Sequence, residues 1–141
     1  MPGPGTWSPG DVLTAADLNA IGTWASYTPT LTQSVTRAAT VNYAKSCVIN
    51  KLCAVNVDLT CTTTGSLATV EVSLPFTGAS GRSTGSGFFF DSSASTTSIL
   101  MIQLDSTKTK AQFYADGSGA LLNTTLGNND VVSFSFLYEV A

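Results

Sequence analysis

The chain has 141 residues, 11% of them charged, no His and a formal net charge of −3. That length is one domain with room for a short appendage, enough to bury a core without metal or disulfide support. The sparse Lys and Arg exclude a phosphate-binding surface and so nucleic acid as a direct partner; no apolar run reaches a membrane span, so no insertion is expected; and without His no Ser–His or Cys–His nucleophile can be assembled.

The opening segment, MPGPGTWSPG, lacks the charged start and apolar centre of a secretory signal. A product kept in a cytosol, or released by a route other than secretion, is expected. Residues 15–21 then read as a short helix. Thr14 is placed as N-cap with Asp17 three residues on, a variant of the capping box, and Leu13 and Leu18 are spaced as a hydrophobic staple. Gly22 stands where a helix ends. Seven residues do not hold a helix alone. Leu13, Leu18, Ile21 and Trp24 therefore need apolar cover, either from the β-domain that follows or from a partner.

Residues 25–40 are a Thr-rich extended connector, in which Pro29 keeps Thr28 out of helical space. From Thr40 onward the pattern has period two. Residues 46–50 and 52–61 flank Asn50-Lys51 and predict a hairpin. In its second strand Cys53, Val55, Val57, Leu59 and Cys61 form a core face, with Asn56, Asp58 and Thr60 outward. Residues 68–76 predict one half-buried strand with Ala68, Val70, Val72, Leu74 and Phe76 on its inner side; Pro75 ends it or marks an edge. A loop over 77–86 precedes short strands at 87–91, 98–105 and 110–115. The strand at 98–105 is apolar on both faces over much of its length. Turns follow at 116–119 and 127–130, with a further strand between them. The last strand places Val132, Phe134, Phe136, Tyr138 and Val140 on one face. The predicted fold is all-β: an antiparallel β-sandwich or jelly-roll preceded by a short helix and an extended arm.

Few residues suggest chemistry. Cys47, Cys53 and Cys61 are an odd number, and the last two lie roughly 26 Å apart on one strand. They read as small buried hydrophobes rather than disulfide partners or zinc ligands. Asp58 and Glu71 are the acids that neighbouring strands could pair for glycoside hydrolysis, although solvated sheet-face carboxylates read the same way. Asp91, Asp105 and the DGSG turn read as turn chemistry in preference to calcium ligation. Tyr43, Phe89 and Tyr114 are candidate aromatic platforms for a sugar, against the alternative of core or interface packing. No catalytic, cofactor-binding or metal-ligating residue is assigned, and no cofactor is expected.

Residues Trp7 to Gly22 (WSPGDVLTAADLNAIG) resemble the N-terminal segment of tail-fibre and other virion appendage proteins of tailed bacteriophages, notably those of actinobacteria. YTPTLT (27–32), TVNYAKSCVINKLCAVNVDLT (40–60), VSLPF (72–76) and GSGFFFDSS (85–93) are similar, in that order, to their β-rich domain. Asn50 stands where the family hairpin usually has Gly, Cys replaces Val or Ala in the core, and no long shaft is present. The resemblance implies a homotrimeric virion structural protein, assembled in the bacterial cytoplasm. Residues 1–25 would attach it to other virion proteins, with Trp7, Leu13, Leu18, Ile21 and Trp24 as contacts. Residues 26–141 would form a head that adheres to a host-surface glycan or other receptor. The alternative within the family is a capsid decoration protein that stabilises the shell. Outside it stand a glycan-active enzyme using Asp58 and Glu71, and a free lectin-like module.

Overall fold

The computed structural model describes residues 12, 14, 15, 21–79, 83–115 and 120–141. Among these residues the strands are β1 (Ala25–Ser26), β2 (Leu31–Gln33), β3 (Val35–Arg37), β4 (Ala39–Ile49), β5 (Leu52–Cys61), β6 (Ala68–Thr69), β7 (Glu71–Ser73), β8 (Thr84–Asp91), β9 (Thr96–Leu104), β10 (Lys110–Ala115), β11 (Asn123–Thr124) and β12 (Val131–Glu139). Most of the predicted helix, and the DGSG turn, lie outside the described residues. Gly22 has the positive φ, 75°, expected of a helix-terminating glycine.

The fold is all-β and antiparallel. Ten strands share one curled sheet in the order β1-β4-β5-β12-β8-β9-β10-β7-β2-β3, with β6 and β11 as a small second sheet. Short connections force the curl. β1 and β2 are eight strand spacings apart, roughly 38 Å if the sheet were flat, yet five residues cover at most about 18 Å. At the same corner Ala38 alone joins β3, one end of the order, to β4, next to the other end. The 25–40 connector is thus a strap that contributes to both edges, with Ser34 at φ 62° turning β2 into β3.

The core fills the inside of the curl. The inner face of β5 is the predicted one, with Cys53, Val55, Val57, Leu59 and Cys61 all buried. On β12, Val132, Phe134, Phe136 and Tyr138 are buried and Val140 packs beside them. Phe113 of β10 meets Phe134 of β12 edge to face at 5.1 Å between ring centroids, although two strands lie between theirs in the sheet. The β4–β5 hairpin turns at Asn50-Lys51 as predicted, with Asn50 at φ 56°, a conformation Asn tolerates.

Two expectations need correction. The strand predicted over 68–76 breaks at Val70. Its first part pairs β11, and the Val70 N–H, which donates to the Leu122 carbonyl (3.2 Å), keeps to that side; its second pairs β10 and β2. Phe76, predicted inward, is exposed beyond Pro75. The predicted 77–86 loop is also too long, since β8 begins at Thr84. Gln33, fully buried, fastens the small sheet to the large one through Nε2, which donates to the Ala68 carbonyl (3.3 Å) and to that of Thr124.

The three cysteines are free and buried. Burial, and then the nearby Asp130 carboxylate, push the Cys61 thiol up to about 11 from 9.0. Burial also raises Cys53, Tyr27 and Tyr138. A group whose folded pKa exceeds its unfolded value contributes stability that is complete below the unfolded pKa and is lost as pH rises. Tm is therefore expected to be unaffected by these groups below pH 8 and to fall between about pH 9 and 11. Calorimetry across that range checks this, and a Tm unchanged to pH 11 contradicts it.

Candidate functional site

The outer face of the sheet divides into two unlike halves. Across β4, β5, β12 and β8 the registers align Tyr43 with Asp58, Asp58 with Ser133 and Ser133 with Phe88. The next outward row is Lys45, Asn56, Ser135 and Ser86. Small serines in the middle and aromatic rings at either end leave a trough of about 470 Å³, bounded by Tyr43 and Phe88 and floored by Asn56, Asp58, Ser133 and Ser135. It continues past Ala54 and Gly85 to Leu137. From there a depression of about 380 Å³ reaches Ile49 and Leu52 at the hairpin tip.

Hydrogen bonds organise the floor. Asn42 Nδ2 donates to Asp58 Oδ1 (2.6 Å) and to Thr60 Oγ1 (2.8 Å), and Ser135 Oγ donates to Asn56 Oδ1 (2.6 Å). Asn42 reaches both because the β4 ladder slips between Val41 and Tyr43, where one residue bulges out. Lys45 Nζ lies 5.4 Å from the Tyr43 ring centroid, a cation–π contact that steadies the ring. The trough thus presents hydroxyl, amide and one carboxylate between two aromatic walls, a set suited to a neutral polyhydroxylated ligand.

The aromatic residues singled out from sequence separate. Tyr43 is 45% exposed and walls the trough. Phe89 is only 5% exposed: it points into the core, and its neighbour Phe88 is the ring that reaches the surface. Phe89 is therefore a core residue and not a surface contact. Tyr114 lies on β10, beyond β8 and β9 from the trough, and does not join it. Asn42, Asn56, Ser86, Phe88, Ser133 and Ser135 were not singled out. Alternation along the strand places Asn56 outward, but it does not say which strands lie beside it.

The acid pair does not form. Asp58 is on β5 and Glu71 on β7, with four strands between them, and Glu71 is held by Lys110 Nζ (2.7 Å) and Gln112 Nε2 (2.7 Å). Asp91 and Asp105 do turn chemistry. Hydrogen bonds from Ser93 Oγ, then from the Ala94 and Ser93 amides, lower the Asp91 carboxyl. For Asp105 burial pushes upward, but donors from Thr107, Thr109 and Lys110 outweigh it and the carboxyl is lowered. Among the described residues no group of three His, Cys, Asp or Glu is arranged to hold a metal, and no helix is long and apolar enough to cross a membrane.

Of the proposed docking residues, Trp7, Leu13 and Leu18 lie outside the described residues. Ile21 and Trp24 are both exposed. Between them Gly22 lies against β4, where a Cβ would sit 3.2 Å from Ile49 Cδ1. No protein-family model, curated protein or solved structure matches the chain.

Proposed function

We propose that this chain is a non-enzymatic virion appendage of a tailed bacteriophage, a homotrimer whose outer trough adheres to a carbohydrate on the host surface. The observation that carries the adhesive part is the trough itself, a hydrogen-bonding floor between Tyr43 and Phe88 on a rigid sheet. Aromatic walls stack on the apolar faces of sugars while hydroxyl and amide groups pair with their rims. The ordered motif series from Trp7 to Ser93 supports the phage assignment, and the separation of Asp58 from Glu71 supports the absence of hydrolysis. In this reading the curled sheet is a jelly-roll variant, with β4, β5 and β12 facing β10 and β7 as its layers. Residues 1–25 form the virion anchor, to which Ile21 and Trp24 contribute exposed apolar surface.

Binding of the purified chain to host cell-wall polysaccharide tests the adhesion. Tyr43→Ala is expected to weaken it about tenfold, the scale of one aromatic contact. Ser135→Trp, which fills the floor, is expected to abolish it. Unchanged binding by both variants would place the ligand elsewhere. Immunogold labelling of particles locates the protein, and incorporation of a chain lacking residues 1–25 into virions would refute the anchor.

A further inference from the structure

The chain does not use its acids alike. Glu71 accepts from Lys110 on one oxygen and from Gln112 on the other, both Asp105 oxygens serve its own turn, and Asp130 receives Ser92 on one oxygen and Gly127 on the other. Asp58, on the trough floor, differs. Its Oδ1 accepts from Asn42 Nδ2 (2.6 Å), and no donor among the described residues reaches its Oδ2. Asn42 also donates to Thr60 Oγ1 (2.8 Å), so the amide that holds Asp58 is itself held. Two neighbours on the floor keep donors in reserve. Asn56 Oδ1 is taken by Ser135 Oγ (2.6 Å), which leaves Asn56 Nδ2 without a partner among the described residues. Ser133 stands directly across the ladder from Asp58, and its hydroxyl is likewise unpaired among them.

The geometry points to Asp58 as the residue that sets which glycans the trough holds: it selects a sugar that turns a hydroxyl toward its open oxygen and refuses one that carries a carboxylate there. This rests on the carbohydrate reading above, which by itself needs only aromatic walls and a polar floor. An ionised carboxylate accepts hydrogen bonds and donates none. The ligand must therefore bring an O–H to Oδ2, while Asn56 Nδ2 and Ser133 Oγ donate to its other oxygens. A uronate at that place sets like charges together and leaves the Asp58 oxygen unpaired beneath the ligand, and such a mismatch is what makes a site selective. Lys45, in the neighbouring row, does not relieve it. Its Nζ lies over the Tyr43 ring, 5.4 Å from the centroid, and donates to no oxygen among the described residues.

Binding of the full chain to immobilised glucan, galactan and mannan oligomers, each matched by the uronate oligomer of the same linkage, tests this. The wild type is expected to hold at least one neutral oligomer and to bind its uronate at least tenfold more weakly. Asp58→Asn, which keeps the shape and loses the charge, and Asp58→Ser are each expected to bring that ratio below threefold. A general loss of structure would weaken both ligands together and would not move the ratio. A ratio still tenfold in both variants assigns the discrimination to another group and overturns this role of Asp58. A wild type that binds neutral oligomer and uronate alike also overturns it, and weakening of that binding by Tyr43→Ala would then leave the trough standing. Binding to none of the oligomers overturns both the trough and the role of Asp58.

Discussion

Phe134→Ala is expected to lower folding stability by about 3–5 kcal/mol, the cost of deleting a buried aromatic side chain and leaving its cavity. The site has little means of collapsing. Phe134 packs edge to face on Phe113, and Gly87 of β8 lies directly opposite its Cβ, where a methyl group would come within 2.6 Å and would also strike the Ser133 carbonyl. β8 has no side chain at 87 with which to refill the space. Phe134 also joins strands three positions apart in the sheet, so its loss relaxes the curl as well as the local packing. Phe113→Ala should cost a similar amount. Because the rings share one contact, the double variant should lose about 0.5–1.5 kcal/mol less than the sum of the two. Urea denaturation of the four proteins measures this. Strict additivity would show that the ring pair does not join the two sides of the curl. With total stabilities of about 5–15 kcal/mol typical of a domain, the double variant should be largely unfolded at 37 °C.

The same residues show what the sequence can and cannot disclose. Alternation along β5 and β12 is unambiguous because every second residue is apolar and the others are Asn, Asp, Ser, Thr or Glu over most of their length. A wrong register would bury several of those at once. Phe88, Phe89 and Phe90 carry no such contrast, and a run of three rings fits either parity. Phe89 can therefore be read as a surface platform or as core, and only the ladder to β12 shows that Phe88 is the ring that faces out. Tyr43 faces outward, but the bulge beside it leaves no mark in composition. Strand order is a long-range property: nothing local to Asp58 or Glu71 reveals that four strands separate them. The break at Val70 is hidden for the same reason, since it depends on Leu122, 52 residues further on in the numbering. The trough was thus half legible, with outward polar residues assigned and their neighbours across the sheet not.

Asp130→Ala is expected to cost about 3 kcal/mol, and its consequence reaches the β8–β9 hairpin. The Asp130 side chain is 1% exposed, yet its carboxylate receives the Ser92 amide (2.9 Å) and Ser92 Oγ (3.0 Å) on one oxygen and the Gly127 amide (2.7 Å) on the other. Each donor left without an acceptor in a buried site costs about 1–3 kcal/mol. Asparagine has the same shape but must turn an NH₂ toward one of these donors, so Asp130→Asn should lose about 2 kcal/mol. Ser92 opens the turn between β8 and β9, and residues 127–130 lead into β12. The carboxylate therefore fixes the end of the hairpin that carries Phe88 and Ile99 against the strand that floors the trough. Hydrogen exchange at the Ser92 and Gly127 amides should accelerate in both variants, with Lys110, at the start of β10 and beyond the far end of β9, unaffected under native conditions. If exchange at Ser92 and Gly127 stays slow in Asp130→Ala, other groups hold the hairpin and this account of Asp130 is wrong.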